Sequence, residues 1–196
     1  MSAHRMIVIG ASAGGIEALQ QLVSGLPRDL GAAVLVVVHT SAQNGYLADV
    51  LARQTPLNTV KARHDMPISS GRMYIAPPDH HLTVEDSRVV LTRGPKVNRH
   101  RPAIDPLFES AAQAYRRGVI GVVLTGYLDD GSAGLAAVKS SGGIAVVQDP
   151  ADAVVPNMPR NALMHVNVDF CLPLSQIAPL RIELVEGKKV PGKKRK

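Results

Sequence analysis

The sequence contains no tryptophan, a single cysteine and only 3% aromatic residues. So few aromatic rings cannot build the stacking platforms that bind single-stranded nucleic acid. The lone Cys171 excludes an internal disulfide framework and suits a reducing cytoplasm, where we expect the protein to act. We expect Cys171 to be a small buried apolar group rather than a nucleophile. No apolar run approaches the roughly 18 residues of a membrane span, and the N-terminus lacks the apolar region of a signal peptide.

The net charge of +6 comes from the C-terminal end of the chain. Six basic residues cluster there: Lys188, Lys189, Lys193, Lys194, Arg195 and Lys196. The remaining 16 basic residues balance the 16 acidic ones. We therefore expect one domain over 1–187 and a disordered basic tail over 188–196. The tail could contact nucleic acid or an acidic partner, but a solvated tail without a specific partner is the simpler interpretation.

Apolar runs alternate with helical patterns along most of the chain, as in a doubly wound α/β sheet of mostly parallel strands. The predicted strands are Met6–Ile9, Ala32–Val38, Val119–Leu124 and Ile144–Val147, and the predicted helices are Ile16–Val23, Tyr46–Arg53 and Ser132–Lys139. Around residues 58–93 the pattern changes to short β-type segments separated by turn signals, which predicts a short antiparallel β excursion at one edge. These segments are Thr59–Ala62, Met73–Ala76, His81–Val84 and Val89–Thr92.

The first strand is followed by Gly10-Ala11-Ser12-Ala13-Gly14, which satisfies the nucleophile-elbow pattern G-x-S-x-G. Such a turn exposes the serine hydroxyl, and the helix N-terminus beyond it favours a developing oxyanion. The competing interpretation is a structural or anion-binding turn, since glycine-rich loops after a first strand often bind phosphates. The dinucleotide fingerprint would need a glycine in place of Ser12, however, and no Gly-Lys-Ser/Thr motif of a phosphate loop is present.

A histidine and two aspartates also follow predicted strands. His39 comes directly after Ala32–Val38, and Asp129-Asp130-Gly131 lies beyond Val119–Leu124. Catalytic groups collect at the carboxyl ends of the strands in this kind of sheet, and a serine nucleophile needs a histidine base oriented by a carboxylate. Taken singly, His39 could be a packing residue, and either aspartate could cap the following helix. His80, His81 and His100 show no metal-ligand spacing, so we expect no metal site.

With these residues in place, the chain resembles the catalytic domain of the chemoreceptor glutamate methylesterases, the CheB family. Six collinear stretches between about Met6 and Leu184 match the family: Val8–Gly15, Val37–His39, Tyr74–Leu82, Asn98–Asp105, Leu124–Gly131 and Ala145–Pro150. The resemblance implies a doubly wound α/β serine hydrolase with nucleophile Ser12, base His39 and orienting carboxylate Asp130. It also implies methyl-ester hydrolysis on glutamate side chains of chemoreceptors, in some members deamidation of glutamine, and no cofactor.

The same resemblance places oxyanion donors at the backbone N–H groups of Ala13 and Tyr127. Family members commonly carry threonine in place of Ala13 and methionine-glycine in place of Tyr127-Leu128. Replacing glycine with Leu128 restricts φ and alters the pocket, whereas a backbone donor survives a change of side chain.

Typical members also carry an N-terminal receiver domain, and here the elbow begins close to Met1, so we expect a site open without phosphorylation. The expected partners are a methylated receptor or receptor-like protein, together with a methyltransferase or histidine kinase of the same pathway; membrane insertion and nucleic acid are not expected. Two alternatives stay open: a non-catalytic scaffold of such a pathway, and a nucleic-acid binder acting through the basic tail.

Overall fold

A computed structural model describes residues 5–39 and 46–187. The strands are β1 (Met6–Ala11), β2 (Ala33–Val38), β3 (Asn58–Lys61), β4 (Arg72–Ile75), β5 (His81–Glu85), β6 (Arg88–Thr92), β7 (Val119–Val123), β8 (Ile144–Gln148) and β9 (Phe170–Leu172). The helices are α1 (Gly15–Ser24), α2 (Leu47–Ala52), α3 (Ile104–Tyr115), α4 (Ser132–Ser140), α5 (Asn157–His165) and α6 (Leu174–Val185), and a 3-10 turn spans Arg116–Gly118. The predicted basic tail lies outside the described residues.

Seven strands form one parallel sheet in the order β3-β4-β2-β1-β7-β8-β9, with helices on both faces. Alternate residues of β1 serve two separate cores: Ile7 and Ile9 pack with α1, α2 and α6, whereas Met6 and Val8 pack with α3, α4 and α5. Burying an aliphatic side chain of this size contributes roughly 1.5–3 kcal/mol, so continuous apolar strands are favoured where both faces are covered. The doubly wound fold predicted from the sequence is confirmed.

The strand order reverses between β1 and β7, because β2 lies on one side of β1 and β7 on the other. Open α/β sheets bind their ligands in the crevice at the carboxyl ends of the strands at such a reversal. Ser12 follows β1 directly, and its N–H donates to the carbonyl oxygen of Thr125, just beyond β7, at 3.0 Å. The serine therefore lies at the place where this topology positions a site.

The predicted antiparallel excursion is narrower than the sequence pattern suggests. Among the strands of the described residues, only β5 and β6 pair antiparallel, as a separate two-stranded sheet. β3 and β4 instead pair parallel with each other, and β4 pairs parallel with β2, so both extend the large sheet. Short segments with turn signals between them look alike in both arrangements, because the pattern reports strand length and not partner direction.

Cys171 is exposed, so the expectation of a buried side chain is wrong. It is the middle residue of β9, whose neighbours Phe170 and Leu172 both face the core. Because successive side chains of a strand point to opposite faces, two inward neighbours turn Cys171 outward. Within the described residues, no helix has both the length and the apolar character to cross a membrane.

Candidate active site at the β1–β7 edge

Ser12 occupies a tight strand-to-helix turn. Gly14 adopts φ = +74° as the N-cap of α1, a left-handed conformation that glycine accepts without steric cost. The hydroxyl of Thr125 donates to the carbonyl oxygen of Ala13 at 2.9 Å, which ties the turn to the neighbouring strand. A Cβ built on Gly126 would lie only 2.6 Å from the Cβ of Ser12. Glycine at this position therefore leaves the room that the serine side chain occupies.

His39 is brought beside this turn by the pairing of β1 with β2. The parallel register places Ala11 opposite Val38, and the next N–H along, that of His39, donates to the carbonyl oxygen of Ala11 at 3.1 Å. The imidazole is buried, with 5% of the side chain exposed. Its Nε2 lies 2.6 Å from Oδ2 of Asp130, while its Nδ1 is buried without a hydrogen-bond partner among the described residues. The ring thus has one nitrogen on a carboxylate and the other free.

Asp130 accepts four hydrogen bonds from residues that the structure describes, and it is 1% exposed. Oδ2 accepts from His39 and from the N–H of Ile104 (2.7 Å), and Oδ1 accepts from the side chain of Asn98 (2.8 Å) and the N–H of Asp105 (3.2 Å). The backbone N–H groups of Ile104 and Asp105 belong to the first turn of α3, so the carboxylate also caps this helix. Burial by itself would raise the pKa of Asp130, but these hydrogen bonds, first that of His39, hold the pKa below its ordinary value. The carboxylate therefore stays charged at neutral pH.

A second carboxylate, Asp105, lies behind the first. Its Oδ1 accepts from the N–H of Gly134 in the first turn of α4 (2.7 Å), and its Oδ2 accepts from Asn98 (2.7 Å). Burial raises the pKa of Asp105 to about 6, and the nearby charge of Asp130 adds to the increase. Because α3 carries Asp105 and α4 follows Asp130, each helix N-terminus receives a carboxylate from the other helix's segment. The amide of Asn98 joins the two carboxylates.

Ser12, His39 and Asp130 thus lie at one edge of the sheet, where the sequence predicted them. Among the described side chains, the hydroxyl of Ser12 makes no hydrogen bond, and the link between Ser12 and His39 remains a prediction. The N–H groups of Ala13 and Tyr127 donate to no acceptor in the described part of the chain, so both are available to an oxyanion. Asp129 is exposed, and its carbonyl accepts from the N–H of Ser132.

The rim of the site is apolar. Tyr127, Leu128 and Val154 are 59%, 49% and 76% exposed, which is unusual for side chains of this size. Leu128 has φ = +64°, the left-handed region that a leucine rarely adopts, and its carbonyl oxygen accepts from the side chain of Asn161 at 2.7 Å. Leu128 thus adopts a backbone conformation that glycine accepts without steric cost.

Replacing Leu128 with glycine should increase the free energy of unfolding by about 0.5–1 kcal/mol. A leucine in the left-handed conformation destabilises the folded state by about 1–2 kcal/mol, and glycine relieves this strain. The greater conformational freedom of glycine in the unfolded chain offsets about 0.5–1 kcal/mol of that gain. Urea unfolding of L128G measures the change. The matched control is V154G, which removes an exposed apolar side chain without relieving positive φ and should destabilise the protein. Equal destabilisation by both substitutions would contradict the strain at Leu128.

Sequence reasoning assigned no role to Asn98, His100 or Thr125, although all three belong to the stretches that carry the family resemblance. Each acts through loop geometry: Thr125 ties the serine turn to β7, Asn98 joins the two carboxylates, and His100 stacks on His39. The density of polar residues in the stretch Asn98–Asp105, which leads into the first turn of α3, was the available signal. His81 is buried instead between the carbonyl of Pro95 and the N–H of Ala103.

A doubly wound α/β sheet with a serine and a buried histidine–aspartate pair at its topological switch point has the arrangement expected of a hydrolase. A family model described as CheB methylesterase matches residues 7–180, so the chain belongs to the CheB methylesterase family.

Individual relatives agree with this assignment. A protein of Leptospira interrogans serovar copenhageni, which carries the provisional name protein-glutamate methylesterase/protein-glutamine glutaminase, is 41% identical over 92% of this chain and 95% of its own length. Protein-glutamate methylesterase/protein-glutamine glutaminase 2 of Anaeromyxobacter dehalogenans is 41% identical over 88% of this chain, which spans about half (51%) of that protein. The crystal structure of the Thermotoga maritima CheB methylesterase catalytic domain superposes with a TM-score of 0.87 at 33% identity, over 92% of this chain and 98% of that one. The enzyme class expected from the sequence is confirmed at the level of the family.

Proposed function

We propose that the protein hydrolyses the γ-methyl ester of glutamate side chains on a receptor-like signalling protein, with Ser12 as nucleophile, His39 as base and Asp130 as orienting carboxylate. The observation that carries the proposal is the 2.6 Å bond between His39 Nε2 and Asp130, which leaves the buried Nδ1 free at the edge that holds Ser12. A charged carboxylate on Nε2 keeps that nitrogen protonated and leaves Nδ1 as the basic atom.

In the first half of the reaction, Nδ1 of His39 takes the proton of the Ser12 hydroxyl while Oγ attacks the ester carbonyl carbon. The negative charge moves to the carbonyl oxygen, where the N–H groups of Ala13 and Tyr127 can donate to it. Asp130 stabilises the imidazolium that has formed. When the tetrahedral intermediate collapses, the proton on Nδ1 passes to the departing methoxide, and methanol leaves an acyl-enzyme on Ser12.

In the second half, Nδ1 takes a proton from water, whose oxygen attacks the acyl carbon. Collapse returns the proton to Ser12 Oγ and releases the glutamate carboxylate. A glutamine side chain would give the same acyl-enzyme with ammonia as leaving group, because Nδ1 can protonate either group. The glutaminase in the names of the relatives supports this second activity for the same site. None of these steps requires a cofactor.

Release of methanol from a methylated receptor fragment tests the proposal. The wild-type protein should release radiolabelled methanol from glutamate methyl esters, and a fluorophosphonate probe should label Ser12 without a phosphodonor. S12A should do neither, whereas S24A, whose serine donates to the carbonyl of Gln21 at the end of α1, should behave as wild type. A folded wild-type protein that binds the receptor fragment, but neither labels nor releases methanol, would instead support the scaffold alternative.

A further inference from the structure

A tight turn ahead of α3 delivers a second histidine to the base. Val97 and His100 exchange two backbone hydrogen bonds (3.1 and 2.8 Å), and the two residues between them, Asn98 and Arg99, have φ = +50° and +68°. Positive φ at both central positions is the signature of a type I′ turn, in which the two flanking side chains have fixed directions. From this turn the side chain of Asn98 donates to Asp105 and Asp130. These hydrogen bonds hold the turn in place in addition to its own backbone bonds.

The ring of His100 lies flat on the ring of His39. Their centroids are 3.6 Å apart and their planes differ by 5°. Such a face-to-face contact restrains rotation of the His39 ring about the bond that carries it. The hydrogen bond to Asp130 fixes one point of the imidazole, and the stacked face fixes its plane, which determines where Nδ1 points.

The charge state of His100 follows from its surroundings. Burial lowers the pKa of His100, and the adjacent charge of His39 lowers it further when that ring is protonated. Lys96 and Arg99 act in the same direction, whereas Asp130 acts against them. His100 is therefore neutral at neutral pH. A neutral ring face attracts a cation placed over it, and a protonated ring would repel one.

We propose that His100 is a positioning residue for the reaction: its ring stacks on His39 and holds the imidazole plane so that Nδ1 faces Ser12 while Nε2 faces Asp130. This inference rests on the proposed function, because it assigns His100 a task only if His39 is the base. The neutral ring also lies against the imidazolium that forms during each proton transfer. In this assignment His100 acts through the ring of His39, on which it stacks.

Two substitutions separate stacking from the other properties of histidine. H100F keeps a flat ring that cannot titrate, and H100A removes the ring. We expect the maximal labelling rate of Ser12 by a fluorophosphonate probe, kinact, to fall about 10–100-fold in H100A, as a misplaced catalytic group costs. The half-saturating probe concentration should change less than about threefold, since His100 is inferred to act on the reaction through the ring of His39. In H100F, kinact should return to within about threefold of wild type.

The pH profile of kinact supplies a second measurement. In wild type, protonation of His100 adds a second ionisation to the acid limb, because it places a charge beside the base. H100F lacks the second ionisation, so its acid limb should be less steep than that of wild type. H165A, which removes a histidine at the end of α5, is the matched control and should keep the wild-type profile.

Nitrogen-15 shifts of His39 give a measurement that does not depend on activity. We expect the Nε2–H tautomer to predominate in wild type and H100F, and to lose population in H100A. Wild-type kinact and an unchanged tautomer in a folded H100A would overturn the inference while leaving the proposed function intact. A wild-type protein that never labels at Ser12 would overturn the proposed function itself, and the inference would fall with it.

Discussion

Ser12→Ala and His39→Ala are each expected to reduce methanol release by roughly 10⁴-fold or more, and the double variant should be hardly worse than either single one. The members of a nucleophile–base pair act as a unit, so removing either leaves only the catalysis that binding and oxyanion donors supply. The measurement is single-turnover hydrolysis of a methylated receptor fragment, with folding checked by circular dichroism and urea unfolding.

Ser24→Ala is the control for the loss of a hydroxyl, since Ser24 lies at the far end of α1. His165→Ala is the control for the loss of an imidazole. If the losses from S12A and H39A instead multiply in the double variant, the two side chains act independently, and the paired mechanism is wrong.

Asp130→Asn should reduce the rate by about 10²–10⁴-fold, whereas Asp129→Asn should leave it nearly unchanged. An amide at 130 can present its NH₂ group to His39, which favours the wrong tautomer and removes the charge that stabilises the imidazolium. Asp129 has an exposed side chain and contributes a backbone carbonyl to the start of α4. The pair is chemically identical and adjacent in sequence, so the comparison isolates position. A larger loss from D129N would sink the assignment.

Asp130→Asn should also lower the free energy of unfolding by about 1–3 kcal/mol, because the N–H groups at the start of α3 lose a charged acceptor. The pKa of Asp130 is lowered on folding from an ordinary value of 3.8. Its stabilisation is therefore complete above about pH 4 and is lost as the pH falls through the folded-state pKa. The difference in unfolding free energy between wild type and D130N should accordingly be largest at neutral pH and shrink in acid.

The sheet and two of the site residues could be predicted because each depends on local sequence. β1, β2 and β7 are apolar along their length, and Ser12 and His39 each come directly after a strand, so strand ends give their place. Asp130 is further from the end of β7, and its assignment over Asp129 came from the family resemblance. The structure adds the reason for that choice, since only the carboxylate of Asp130 faces His39 and the start of α3.

Other elements escaped prediction for physical reasons. α3, α5 and α6 contain Pro106, Pro159 and Pro179, and proline argues against a helix in any local interpretation. Pro106 and Pro159 lie in first turns, where no intrahelical N–H bond is lost, and Pro179 is accommodated within a helix whose apolar residues face the core. The roles of Asn98 and His100 depend on a turn that brings them to residues distant in sequence, which periodicity cannot report.

Asp130 has consequences for recognising inactive copies of this domain. Its carboxylate accepts hydrogen bonds from the start of α3 as well as from His39, so a duplicate that had lost hydrolysis would still be more stable with it than without it. The hydroxyl of Ser12 has no comparable structural role, since it makes no hydrogen bond within the described residues. When activity is no longer under selection, Ser12 should therefore be substituted sooner than Asp130. We expect a sequence that retains the aspartate without the serine to be a binding protein that has lost hydrolysis. The aspartate by itself therefore does not indicate activity.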